Sequence, residues 1–249
     1  SKTRVVRVVD HILGRSHDQI IAVSPDELKY ARSIGLPKNR LHFVPNGVDA
    51  AKIARTAGSA LKPTRNQINV GFVGRMVNQK NPLSFIRAFA RARAQRSDLH
   101  AFVVGAGPLE DEMKAFATAN DLSGAVTFGG HASFVENRKQ MDVRVHTSKY
   151  ESLPYVILDA CAVGLPIVAV RNAGTATLFG SEADLVDDCY DDAALAASLL
   201  ETVATPETLK HAARRSRAAG DRFSLETMVD SIETLYRGEI GEAALRQAV

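Results

Sequence analysis

Short runs of Val, Ile and Phe alternate along this chain with longer stretches whose apolar residues recur at helical spacing, and few folds accommodate that alternation. Near-continuous apolar runs suit strands covered on both faces, as parallel strands are, and the intervening segments are long enough for right-handed crossovers. The spacing predicts strands at Gln19–Val23, Leu41–Val44, Ile68–Val73, Leu99–Val104, Ala125–Phe128, Val143–Thr147 and Pro166–Val170. It predicts helices at Pro25–Ser33, Pro82–Gln95, Leu109–Ala119, Ser133–Gln140 and Leu153–Val163, several opened by Ser, Asp or Pro. From Asp191 onward the pattern is helical only, with segments at Ala193–Val203, Glu207–Ala219 and Leu225–Arg237 that should cap one edge of the sheet. The fold class is α/β, a parallel sheet with helices on both faces.

Composition removes several functional classes. With 31 basic and 28 acidic residues the formal charge is only +3, so no nucleic-acid partner is expected. No apolar run reaches the roughly 18 to 20 residues of a membrane span, because Tyr155–Val170 is broken by Asp159, Gly164 and Pro166. Cys161 and Cys189 cannot form a disulfide framework, which fits a reducing, cytoplasmic setting; contact with the inner face of a membrane is a separate expectation left open. The 7 histidines lack zinc spacing, so no zinc site is expected. Ser1-Lys2-Thr3-Arg4 has no initiator Met and leads straight into the periodic Val5, Val6, Val8, Val9 and Ile12, so the start looks cut.

Chemistry-bearing residues gather where predicted strands end. Ile68–Val73 runs into Gly74-Arg75, with Lys80 just before a helix, and the carboxyl end of a parallel strand is where open α/β sheets bind ligands. Gly74 would let a ligand approach the backbone, while a guanidinium fork and an ammonium point charge suit a diphosphate. Two solvated loop cations are the plainer alternative. Gly105-Ala106-Gly107 follows the next strand and resembles half of a dinucleotide fingerprint, but Glu110 replaces its third glycine, so a dehydrogenase is a poor fit. A turn needing positive φ explains those glycines equally well. The loop Gly129-Gly130-His131 ends a further strand, where a planar base could pack. Ser152 is placed to cap a helix carrying Pro154 in its first turn, so Ser152, Leu153, Pro154 and Tyr155 would frame an anion-attracting N-terminus. Glu151 precedes that terminus and Asp159 lies inside the helix, a costly place for Asp unless it has a task. Arg87, Arg91, Arg93 and Arg96 could meet anionic lipid, but a solvated face over the stripe of Phe85 and Phe89 is favoured.

Val44-Pro45-Asn46-Gly47-Val48-Asp49, Gly74-Arg75 with Lys80, Gly105 to Glu110, Glu151 to Asp159 and Gly164 to Val168, in that order and spacing, closely resemble the nucleotide-sugar half of glycosyltransferase family 4. The resemblance covers roughly residues 18 to 238. It implies a GT-B enzyme, in which two Rossmann-like domains face each other across a cleft, with this chain as the C-terminal, donor-binding half. It implies a retaining, metal-independent transfer from a UDP-, GDP- or ADP-linked sugar to a glycan, lipid-linked or small-molecule acceptor, and no Asp-x-Asp metal motif is present. In the roles it implies, Arg75 and Lys80 hold the diphosphate, Glu151 lies near the donor sugar, Asp159 binds ribose hydroxyls and Gly129 to His131 contact the base.

The chain departs from the family pattern twice. Its second acidic position is Asp159, one methylene shorter than the usual Glu, and the loop Arg171 to Thr177 carries one Gly and no Glu where the family has Gly-Gly and a Glu. These departures keep a non-catalytic nucleotide- or glycan-binding module in view, and a nucleotide-sugar epimerase of the same fold is a second rival. Asn46-Gly47 and the loop after Gly58 mark a boundary, giving residues 1–45 as a remnant of the acceptor domain with the interdomain linker, 46–238 as the donor domain and 239–249 as a tail. By itself the segment is expected to bind nucleotide weakly and transfer nothing.

Overall fold

A computed structural model describes residues 2–57, 67–130, 140–180 and 185–238, to which every structural statement refers. In chain order its elements are α1 (Lys2–Arg15), β1 (Ile20–Ala22), α2 (Pro25–Ser33), a 3-10 turn (Lys38–Arg40), β2 (Leu41–Phe43), α3 (Ala50–Ala57), β3 (Ile68–Val73), α4 (Pro82–Gln95), β4 (Leu99–Val104) and α5 (Glu110–Ala119). They continue with β5 (Val126–Phe128), β6 (Val143–His146), α6 (Tyr155–Ala162), β7 (Ile167–Ala169), α7 (Ala173–Phe179), α8 (Asp192–Thr202), α9 (Pro206–Gly220) and α10 (Leu225–Arg237). The chain divides into two compact units, residues 1–47 with 223–249, and residues 48–222. Helix α10 therefore groups with the N-terminal elements, not with the sheet that precedes it.

The larger unit is built on five parallel strands in the order β5-β4-β3-β6-β7. β3 pairs with β4 from Ile68↔Leu99 to Val73↔Val104, and β6 lies on its other side through Val70↔Val143 and Gly71↔Arg144. Strand order reverses at β3 and β6, so a crevice opens between their carboxyl ends. Side chains alternate across the sheet. Val70, Phe72, Val143 and Val145 face a core shared with Phe85, Ile86 and Phe89 of α4, Met113 of α5 and Leu195 and Leu199 of α8. Arg144 and His146 face the other way, towards α6. Helices α8 and α9 close over β7, α8 against α4 and α9 against α6.

Several predicted elements coincide with the observed ones, because their boundaries carry explicit chemistry. Ser24 caps α2 by accepting from the Glu27 amide at 3.2 Å, and Pro25 occupies the first turn. Three helices went unpredicted. α1 reads as a periodic segment without a cap, α3 lies between Asn46-Gly47 and Gly58, where a domain boundary is read, and α7 is short and contains Gly174 and two threonines, all poor helix formers. The predicted helix at Ser133–Gln140 falls almost wholly outside the described residues.

In the smaller unit β1 and β2 form a parallel pair over a core of Ala22, Leu28, Ala31, Leu36 and Leu41. The polar side of α1 is fastened to α2. Tyr30 donates to Asp10 at 2.6 Å, Arg7 donates to the Ser33 carbonyl at 3.1 Å, and His11 meets the Ile34 carbonyl at 2.5 Å. Val5, Val6, Val8, Val9, Ile12 and Leu13 are exposed.

Candidate functional site

The loops that follow β3 and β6 meet at the point where strand order reverses. The Lys149 amide donates to the Gln79 carbonyl at 2.9 Å, the Gln79 amide group donates to the Tyr150 carbonyl at 3.2 Å, and the Thr147 hydroxyl donates to the Lys80 carbonyl at 2.8 Å. Lys80 then donates its ammonium to Glu151, an ion pair whose side chains are 15% and 10% exposed. Two residues separated by much of the sheet in sequence are thus held as one unit. Asn81, at φ 49°, turns the chain from this loop into α4, and its side chain is held by the Cys189 carbonyl at 2.7 Å. Asn tolerates that left-handed geometry better than most residues.

Arg75 is exposed beside this unit, and among the described residues no carboxylate or carbonyl engages its guanidinium. The helix terminus corrects one expectation. α6 begins at Tyr155 with Pro154 as its N-cap residue, and no side chain caps it, so Ser152 and Leu153 lie in the approach loop. A proline immediately before the helix sets φ but brings no side-chain capping oxygen; its carbonyl accepts from the Ile157 amide at 3.0 Å, and the Tyr155 and Val156 amides have no partner among the described residues. Asp159 lies about one turn inside α6.

The glycine turn after β4 supports this loop from the side. A side chain at Gly105, where φ is +135°, would come within 1.9 Å of the Gly74 carbonyl, so the backbones of the two turns are in direct contact. The Met76 amide donates to the Ala106 carbonyl at 2.9 Å and the Gly105 amide to the Gly130 carbonyl at 2.8 Å. Positive φ and close backbone approach account for Gly105-Ala106-Gly107, while Gly129 stands at the carboxyl end of β5. His131 lies outside the described residues.

Beneath the crevice is a charged layer that the sequence reading missed. Arg144 is 0% exposed, and it donates to the Val73 carbonyl at 2.9 Å and to the Val156 carbonyl at 2.5 Å. Burial pulls its pKa down to about 10, against the opposing pull of Asp159 and Glu151, so it is still a cation at neutral pH. His146 is 4% exposed, and its Nε2 has no hydrogen-bond partner among the described residues. Burial, with Arg144 and Lys80 nearby, holds its pKa well below the ordinary histidine range, so the ring is neutral. Burial raises the Asp159 pKa, and Arg144 works in the opposite direction. The signal for this layer was a single Arg within the apolar run Val143–Val145. Cys161, buried in α6, is pushed up to about 12 by burial and stays an inert thiol.

The loop after β7, short of a Gly and a Glu, is nevertheless tied to the site. Asn172 caps α7 by accepting from the Thr175 amide at 3.1 Å and donates to the Ser148 carbonyl at 2.9 Å. The Gly174 amide donates to the Glu151 carbonyl at 2.8 Å, and a side chain at Gly174 would press on Pro154 at 2.9 Å. The α4 arginines are mostly engaged within the unit. Arg87 pairs with Asp192 at 2.5 Å, Arg93 donates to the Ser97 carbonyl at 2.7 Å, and Arg96 pairs with Asp98 at 2.9 Å. Among the described residues no three His, Cys, Asp or Glu side chains form a metal-sized cluster, and no helix is long and apolar enough to cross a membrane.

A parallel sheet covered by helices, with strand order reversed between β3 and β6 and two cations in the loop after β3, defines a Rossmann-like α/β domain. The chain belongs to the family described as glycosyl transferases group 1, whose profile matches residues 58–219. It is 28% identical over 253 residues to a glycogen synthase of Mycobacterium tuberculosis, covering 95% of this chain and 59% of that protein. It is 31% identical over 247 residues to a D-inositol 3-phosphate glycosyltransferase of Geodermatophilus obscurus, covering 91% and 54%. The chain thus spans little more than half the length of these curated relatives. Among solved structures, Anabaena HepE in complex with UDP and glucose matches with a TM-score of 0.77 at 23% identity, over 92% of this chain and 66% of that one. The expected GT-B-type α/β fold is thereby borne out.

Proposed function

We propose that this chain is the donor-binding half of a glycosyltransferase that takes a sugar from a nucleoside diphosphate. The observation that supports it most is the union of the β3 and β6 loops through Lys80 and Glu151 at the reversal of strand order. Arg75, Lys80 and the first-turn amides of α6 would receive the diphosphate, with Gly74 giving the phosphates close access to backbone. As the bond from the anomeric carbon to the diphosphate breaks, negative charge grows on the leaving oxygens, and these fixed positive groups stabilise it without having to reorganise. Glu151, released from Lys80 by the phosphates, would face the donor sugar. Asp159 would take the ribose hydroxyls, and Gly129 and His131 the base.

Retention, metal independence and the 1–45 segment as part of an acceptor domain are proposals carried by family membership. The relatives' names point to different acceptors, glycogen in one and D-inositol 3-phosphate in the other, so the acceptor is left unassigned. A thermal-shift screen against UDP-, GDP- and ADP-sugars without added metal tests the donor reading, since a ligand bound at 100 times its Kd raises stability by about 2.7 kcal/mol. One of the three nucleotide classes should raise the unfolding temperature. No shift with any of them would contradict the proposal.

A further inference from the structure

We infer that Arg144 is a positioning residue that locks the loop after β3 and the first turn of α6 in register for a bound diphosphate. This rests on the donor-site reading above and extends it to a residue outside the motifs named for that reading. Val73, whose carbonyl accepts one arm of the guanidinium, is the last residue of β3 and immediately precedes Gly74-Arg75. Val156, whose carbonyl accepts the other arm, is the second residue of α6 and immediately follows Tyr155. One rigid, planar fork therefore spans the two segments that would hold the phosphates. An ammonium is a point donor and cannot fix two carbonyls at a set separation, whereas a guanidinium can.

The cost of the arrangement argues that it has a task. Arg144 is wholly buried in a central strand between Val143 and Val145, a place an apolar side chain would fill without desolvating a charge. Its neighbour His146 is neutral and adds no competing positive charge to the layer. The lowered but still high pKa of Arg144 keeps a positive charge below the crevice, close to Glu151 and Asp159.

Calorimetry of the 249-residue chain with UDP, GDP and ADP identifies the tightest binder. That diphosphate and its parent nucleoside, the latter read by competition, are then compared across variants whose folding is checked by circular dichroism. Arg144→Met should weaken the diphosphate ~10-fold while leaving the nucleoside within ~2-fold, because only the phosphates depend on the register. Arg144→Lys, which keeps charge without the fork, should weaken the diphosphate ~3-fold with the same sparing of the nucleoside. A folded variant with unchanged diphosphate affinity, or with equal losses for both ligands, would overturn the inference. Failure of both variants to fold would overturn it as well, since Arg144 would then be structural only. If the wild-type chain binds none of the three diphosphates, the donor-site reading itself fails, a result distinct from any of these.

Discussion

The ammonium of Lys80 meets the carboxylate of Glu151 in an ion pair that joins the loop after β3 to the loop after β6, and both side chains are largely shielded from solvent. A phosphate entering this site must compete with Glu151 for Lys80. Removing the carboxylate should therefore free the cation, and Glu151→Gln is predicted to raise nucleoside-diphosphate affinity ~3- to 10-fold by calorimetry, while Lys80→Ala lowers it ~10-fold or more. Unchanged affinity in Glu151→Gln would show that the pair does not compete with ligand.

Two neighbouring glycines should separate stability from binding. Gly105→Ala drives a methyl to within 1.9 Å of the Gly74 carbonyl at positive φ, and a loss of ~3 kcal/mol in urea unfolding is expected. An added methyl at Gly74 meets the flexible Lys80 side chain at 3.6 Å and the Phe72 ring at 3.8 Å, both ordinary contacts, so Gly74→Ala should cost under ~0.5 kcal/mol. Its effect should fall on diphosphate affinity, because the methyl occupies the space a phosphate needs. Gly74→Ala with wild-type affinity would remove Gly74 from the site.

His146 gives stability a defined acid dependence. Its pKa is held down in the folded chain by burial and by Arg144 and Lys80, so below the ordinary histidine pKa of about 6.5 the unfolded chain takes up a proton that the folded chain refuses. Stability then falls as pH drops, by up to about 1.4 kcal/mol per pH unit, and levels off above that pKa. His42, lowered by burial, acts in the same direction. Unfolding curves between pH 5 and 7 should lose most of this slope in His146→Leu, and an identical slope in that variant would refute the assignment.

Asp159 is expected to trade stability for function. Burial disfavours its charged form and Arg144 only partly offsets this, so its raised pKa means stability is higher when it is protonated and is lost as pH rises through that pKa. Asp159→Asn should leave stability at pH 7 unchanged or raise it by up to ~1 kcal/mol, yet weaken nucleotide binding through the ribose. A destabilised Asp159→Asn that binds normally would reverse both halves of the prediction.

The sheet and most crossover helices were legible because strand periodicity, Pro25 and Pro82 at helix starts, and the Ser24 cap are local signals that tertiary packing does not override. The cations of the site were legible for the same reason, since Arg75 and Lys80 follow directly from where β3 ends. What escaped depended on contacts distant in sequence. Ser152 has capping chemistry, but the chain enters α6 through Pro154, and α7 is opened by a capping box in which Asn172 and Thr175 satisfy each other's backbone. Arg144 escaped because its partners, the carbonyls of Val73 and Val156, are brought to it by β3 and α6.

Titration of the chain with UDP, GDP and ADP in the presence of EDTA, run in parallel on Arg75→Ala, tests the donor site most directly. One diphosphate should bind without metal at a single site, and Arg75→Ala should weaken it ~10-fold. Absence of binding by all three, or equal affinity in Arg75→Ala, would contradict the placement of a diphosphate between the ends of β3 and β6.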